Sequence, residues 1–389
     1  MEHRRIPLGL LAAVMLLGAV LLPATTAAAA TTYEVGVGGF LQNVPAESMR
    51  FFPSTVDVHQ GDTLHFSTDG FHTATALPVG EGPVQWFDAN ASGPTDPYSI
   101  IQTDPDDGPN ATKFSTAVAL PTDPTCGGTG QPACGYDGSA LLNSGVPISG
   151  PMDFSVGVNA SAGSTFYMVC IIHGPNMRLK VNVVGASDAA STNADIRSAN
   201  QAAVNQDQDS AEALFAKYST RQTWHRGPGG TRVWDAWAGV DNQHVVLYGM
   251  FPQRLRIREG DTVQWHFDTL AYEVHTVTFP IDTARDIVRN SFIPVCDTGS
   301  GPDGPPDLEG PPFCSDPTQL EIQLDDRHTP EIGNGVFRGS DLENSGVRGA
   351  TSYLGDANYD LRFARRSTDG AFRYICLIHP FMRGKLVVR

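Results

Sequence analysis

Two short segments of this 389-residue chain carry side chains suited to one kind of chemistry. Cys170, His173 and Met177 form C-x2-H-x3-M, and Cys376, His379 and Met382 form C-x2-H-x2-M. A single histidine stands 98 residues before the first cysteine and another 101 residues before the second. These are His72 in Phe71-His72-Thr73 and His275 in Val274-His275-Thr276. A thiolate, two imidazoles and a thioether are the donors of a type 1, or blue, copper centre. The thiolate suits Cu(I), imidazole suits both oxidation states, and a weak axial Met tunes the potential. Zinc suits this set less, because a thioether is a poor zinc ligand. Short spacing lets three donors share one loop while a neighbouring strand brings the fourth, so the site stays rigid as the metal changes charge.

The elements that must position these donors occur twice. Phe52-Pro53 through Leu64 recurs 199 residues later as Phe251-Pro252 through Val263, with Gly61-Asp62-Thr63 matched by Gly260-Asp261-Thr262. Gly138-Ser139 through Val146 recurs as Gly339-Ser340 through Val347, each containing Asn-Ser-Gly. The Cys-x2-His segments follow in the same order, each with Met-Arg shortly after. Three matched blocks in one order mean two copies of one domain, and so long a period gives each copy its own core. Val56 and Val58 alternate with polar residues, as do Leu255 and Ile257, which is the pattern of a half-buried strand. Gly-Asp turns lead into a second strand. Lys180–Val183 and Lys385–Val388 close the copies as final strands. We expect a signal peptide over 1–30, one domain over 31–186, a partly helical linker over 187–222 and a second domain over 223–389. In the linker, Asp209 and Glu212 read as a capping box for a helix over Ala211 to Tyr218.

At these residues the sequence resembles the cupredoxins, the plastocyanin, amicyanin and pseudoazurin group. The second loop resembles that of amicyanin, and the first is one residue longer. The resemblance covers roughly 33–186 and 225–389 and rests on the upstream His and the Cys loop of each copy. It implies an all-β chain of two Greek-key β-sandwich domains with a short helical linker, and one type 1 copper per copy. It also implies that His173 and His379 reach a surface where electrons pass. Pro175, Pro380 and Phe381 then form an apolar docking patch. The long interval between His and Cys departs from the small members of the family, so each copy carries a large insertion.

Composition agrees. Hydrophobic residues make up 41% and charged residues 17%, too few charges for a disordered or coiled-coil chain. With 40 Gly and 28 Pro, the chain has the many turns of a β-sandwich. A formal net charge of −16 has the wrong sign for a nucleic-acid binder and would steer a basic partner, such as a cationic cytochrome. Arg4 and Arg5, the apolar run Ile6 to Pro23 and the small residues Ala27 to Ala30 read as an export signal. No later stretch is apolar enough to span a bilayer, so the mature chain is expected outside the cytoplasm without a membrane anchor. In an oxidising compartment the remaining cysteines pair as Cys126–Cys134 and Cys296–Cys314.

Copper nitrite reductases and small laccases also have two cupredoxin domains, but they carry a further copper bound by a His beside the type 1 Cys. Here Val169 and Ile375 precede the cysteines, Ile171 and Leu377 follow them, and no His-x-His pair occurs. His59, His65, His225, His244, His266 and His328 are scattered. The sequence therefore reads as a single-electron carrier and not an enzyme. The alternatives are a copper-delivery protein or a nitrite reductase- or laccase-like oxidoreductase.

Overall fold

The computed structural model describes residues 30–104, 111–147, 150–267, 270–296, 320–349, 357–368 and 370–389. Residues 1–29 of the expected signal peptide and the Cys296–Cys314 pairing lie outside the described residues.

The chain is mostly β-sheet, and the strand order of its first half is repeated in its second. In the first half, one sheet runs Ala46–Phe52, Thr32–Phe40, Thr63–Thr68, Met152–Val158, Cys134–Tyr136. The other runs Thr55–His59, Arg178–Val184, Thr165–Val169, Thr75–Ala76, Leu142–Asn143. The second half reproduces the first series as Val245–Phe251, Arg232–Asp241, Thr262–His266, Asn358–Phe363, Val336–Phe337. It reproduces the other as Arg254–Ile257, Arg383–Val388, Phe372–Ile375, Thr278–Phe279, Glu343–Ser345, with Glu331–Ile332 added at the edge. Alternation aims one face of each strand inward. Val35, Phe66 and Val156 of one sheet and Val56, Phe166 and Val181 of the other are buried in one core.

The halves are fused edge to edge. Val245–Phe251 pairs antiparallel with Ala46–Phe52, with Val246 opposite Glu47, so the first sheets of both halves, with Trp224–Arg226 added beside Arg232–Asp241, form one eleven-stranded sheet among the described residues. The insertions make a second seam. Ile101–Thr103 and Thr112–Phe114 of the first half join Leu320–Gln323 and Ile293–Cys296 of the second in one four-stranded sheet. A role that the family resemblance left open is thereby filled: the insertions bind the two halves together. Cys126 and Cys134 are bonded as expected, with Cα atoms 5.0 Å apart.

The helix between the halves is longer than the sequence pattern suggested. It runs Asn193–Tyr218, capped by Thr192, whose hydroxyl oxygen accepts from Asp195 N at 3.1 Å. No Gly or Pro interrupts 187–210, so the helix extends N-terminally past Asp209 to the Thr cap. It lies across the seam. Ala211 is buried with Ala46, Val245 and Leu247. Asp207 accepts from Ser48 Oγ and Arg50 Nη2, both at 2.5 Å. Among the described residues no helix is long and apolar enough to cross a membrane.

Candidate metal centres

Each upstream histidine sits between two sheet strands, where a glycine makes room for its ring. A Cβ on Gly38 would lie 2.1 Å from His72 Nε2, and one on Gly239 would lie 2.2 Å from His275 Nε2. Both glycines have positive φ, +65° and +74°, which side chains on L-residues rarely adopt. Each cysteine directly follows a strand, Thr165–Val169 or Phe372–Ile375, and opens the loop that carries its histidine. The loop closes by a backbone bond, Cys170 N to Met177 O at 3.1 Å and Cys376 N to Met382 O at 3.2 Å. The repeated Met-Arg has a structural use. Arg178 Nη1 donates to Pro175 O at 3.2 Å and Arg383 Nε donates to Pro380 O at 3.3 Å, bracing each loop from within.

His72, Cys170 and His173 offer ligand atoms within 4.8 Å of one another, and so do His275, Cys376 and His379. In the first cluster the two Nδ1 atoms are 2.9 Å apart, and Cys170 Sγ lies 3.8 Å from His72 Nδ1 and 3.3 Å from His173 Nδ1. In the second, the Nδ1 atoms are 3.2 Å apart and Cys376 Sγ lies 3.9 Å from His379 Nδ1. Met177 and Met382 are each 1% exposed, in the core that holds both cysteines.

Matched hydrogen bonds fix the sulfurs. Thr73 N donates to Cys170 Sγ at 3.4 Å, and Thr276 N to Cys376 Sγ at 3.3 Å. The same threonines accept from the residue after the cysteine, Ile171 N at 2.9 Å and Leu377 N at 2.7 Å. From there a hydroxyl relay runs through Thr75 to Asn143 and through Thr278 to Asn344. Asn143 Nδ2 donates to the Ala117 and Leu120 carbonyls, and Asn344 Nδ2 to those of Arg327 and Pro330. The repeated Asn-Ser-Gly block thus ties each insertion to the strand that presents the ligand histidine.

The outer edges of the histidines meet acids that sequence reasoning did not single out. His72 Nε2 donates to Glu47 Oε1 at 2.8 Å. His173 Nε2 contacts Glu273 Oε2 at 3.0 Å, and His379 Nε2 contacts the other oxygen of the same carboxylate at 3.4 Å. Tyr248 OH donates to Glu47 Oε2 at 2.9 Å and lies 3.4 Å from Glu273 Oε2. Burial alone would raise both carboxyls. The neighbouring imidazoles outweigh it, His72 for Glu47 and His379 with His173 for Glu273, so both stay ionised. Burial, then the charges of Glu273 and Glu47, hold the Tyr248 phenol well above its usual value. The thiols differ. Burial raises Cys170, but His173 and His72 pull it well below its ordinary value, whereas burial pushes Cys376 up to about 11.

The expectation that both loop histidines reach the surface is corrected. His173 is 4% exposed and faces Glu273 of the other half, Pro175 is buried, and Asn176 Nδ2 donates to Leu270 O at 3.2 Å across the seam. The second loop is the one whose histidine reaches solvent, with His379 half-buried and Phe381 59% exposed. The sequence carried a weak signal for Thr73 and Thr276, which follow the ligand histidine in both copies. It carried none for Glu47, Tyr248 and Glu273, which no motif links.

No protein-family model matches the chain, and no curated protein matches it. Among solved structures, a Cu-containing nitrite reductase from Thermus scotoductus SA-01 is 13% identical, with a TM-score of 0.20, covering 92% of this chain and 68% of that one. The multicopper oxidase mgLAC is 10% identical, with a TM-score of 0.17 and coverage of 92% and 86%. A blue copper oxidase from Nitrosomonas europaea is 9% identical, with a TM-score of 0.17 and coverage of 84% and 87%. All three are copper enzymes by name, against the expectation that this chain is not an enzyme. That expectation rested on the residues flanking the cysteines and took no account of the buried acids and phenol between the clusters.

Proposed function

We propose that this protein is a copper-dependent oxidoreductase, with one type 1 copper held by His72, Cys170, His173 and Met177 and another by His275, Cys376, His379 and Met382. One observation carries the reading. With Nε2 of His72 donating to Glu47 and that of His173 turned to Glu273, the Nδ1 lone pairs of the first cluster face each other at 2.9 Å beside a sulfur. Lone pairs so placed repel unless they share a proton or a metal ion, and imidazole with thiolate suits copper. Bound copper supplies one-electron exchange. The chain's own residues keep the thiolate in place through Thr73 and Thr276, orient the imidazoles through Glu47 and Glu273, and exclude water. Full burial of Cys170 and Cys376 speaks against metal delivery, which needs ligands within reach of a partner.

Copper analysis and the visible spectrum of the purified protein test this. Two coppers per chain with an intense thiolate band are expected, and Cys170→Ser and Cys376→Ser should each remove one. A chain holding fewer than two coppers rejects the reading. Assays of nitrite reduction and of dioxygen-dependent oxidation by the loaded protein separate the two directions of enzymatic chemistry.

A further inference from the structure

Histidines from opposite halves converge on one side chain. Glu273, 4% exposed, faces His173 Nε2 with Oε2 and His379 Nε2 with Oε1, at 3.0 and 3.4 Å. Each of these histidines turns its Nδ1 to its own cluster. A path of imidazole, carboxylate and imidazole therefore links the clusters with no gap wider than 3.4 Å. Glu47 is the internal contrast. It is equally buried and 2.8 Å from His72, but the ligand it touches belongs to the first cluster alone. The surroundings hold the path still: Glu273 Oε1 accepts from Val274 N at 3.1 Å, and the Tyr248 ring lies 4.9 Å from that of His379. The two ends also differ in access, since His173 is buried while His379 lies beside exposed Phe381.

We propose that Glu273 is the bridge for electron transfer between the two clusters, so that electrons entering at the His379 end reach the enclosed first cluster through it. This rests on both clusters holding copper. In the step, the copper of the second cluster goes from Cu(I) to Cu(II) and that of the first from Cu(II) to Cu(I). One electron moves, no bond breaks and no proton leaves. A single electron from an outside donor, already in the second cluster, is all the step requires. Because Glu273 touches a ligand of each cluster, its removal shifts both potentials in the same sense and leaves their difference, the driving force, largely in place.

The test uses the copper-loaded full chain. A substoichiometric pulse of reductant is followed by rapid freezing and electron paramagnetic resonance, with the two Cys→Ser variants supplying the signal of each centre. In the unmodified protein the reduced centre should redistribute in a first-order process independent of protein concentration. Glu273→Leu, loaded at a copper excess that fills both sites, should slow redistribution at least about tenfold, about 1.4 kcal/mol in barrier. Redistribution that scales with concentration in the unmodified protein overturns the bridge, as does an unslowed Glu273→Leu with both coppers bound. Copper analysis of the same samples separates these results from failure of the copper reading, since fewer than two coppers in the unmodified chain ends both.

Discussion

Glu47 and Val246 stand opposite each other in the strand pair that joins the halves, and each is also the other's counterpart in the repeat, five residues before its Phe-Pro. The repeat is therefore broken where a second carboxylate would sit against the second cluster. The first cluster faces two carboxylates, Glu47 and Glu273, and the second shares only Glu273. A buried anion beside a ligand favours the more positive oxidation state of the metal. Glu47→Gln should raise the potential of the first centre by about 60 mV, a tenfold change for one electron. Voltammetry of the loaded protein and variant checks this. An unmoved first wave would refute it.

Gly38 and Gly239 are matched holes. Alanine at either would place a methyl within a bond length or two of a ligand imidazole, at a φ costly to any side chain. Gly38→Ala should lose the first copper and Gly239→Ala the second, each with a stability loss of about 1–3 kcal/mol. Metal analysis showing two coppers in both variants would mean that the rings have room to shift.

The donors were legible in the sequence because their chemistry is tied to loop spacing and because the copies repeat. Val56, Val58, Leu255 and Ile257 were legible as strands because alternation marks a face. The seam was not. Its two lines, Ala46–Phe52 on Val245–Phe251 and Thr112–Phe114 on Leu320–Gln323, are backbone pairings between distant edges, which leave no local pattern. With the seam unseen, Glu47, Tyr248 and Glu273 had no reason to be grouped, and His173 took the exposed place it has in a lone domain.

Asp207 ties the helix to that seam through Ser48 and Arg50, with its own side chain 1% exposed and that of Arg50 16%. Removing the acid leaves a largely buried guanidinium without its carboxylate. Asp207→Ala should cost about 3 kcal/mol, the range for breaking a buried pair. Urea denaturation followed by tryptophan fluorescence should show the lowered midpoint. An unchanged midpoint would make the helix a passive connector.

His65 lies between two carboxylates, with ring nitrogens 2.6 Å from Glu34 and 2.9 Å from Asp153. The bond to Glu34, more than that to Asp153, raises its pKa. A raised folded value means that protonation favours the folded state. This stability is fully present below the unfolded value of about 6.5 and fades as pH rises through the folded value. His65→Gln should lower the melting temperature at pH 5.5 and leave it nearly unchanged at pH 9. An equal loss at both would assign His65 a packing role only.

The last prediction concerns where an outside redox partner makes contact. The first loop is closed off: Pro175 is buried, and a Cβ on Gly174 would lie 2.4 Å from the Tyr272 ring. The second loop shows Phe381, 59% exposed, with its ring 5.7 Å from that of His379 and 5.5 Å from that of Tyr248. A protein that exchanges electrons should seat an apolar surface there, while the net charge of −16 draws basic partners from farther away. These effects separate by range. Raising ionic strength should slow stopped-flow reduction by a cationic donor, since steering of ~10–10³-fold fades with screening. Phe381→Glu leaves that long-range field intact, because it adds negative charge, and should slow transfer by disrupting contact while both coppers and their bands remain. A variant faster than the parent with the same cationic donor would show that attraction at the patch outweighs apolar contact. A rate indifferent to both changes would place the docking surface away from His379.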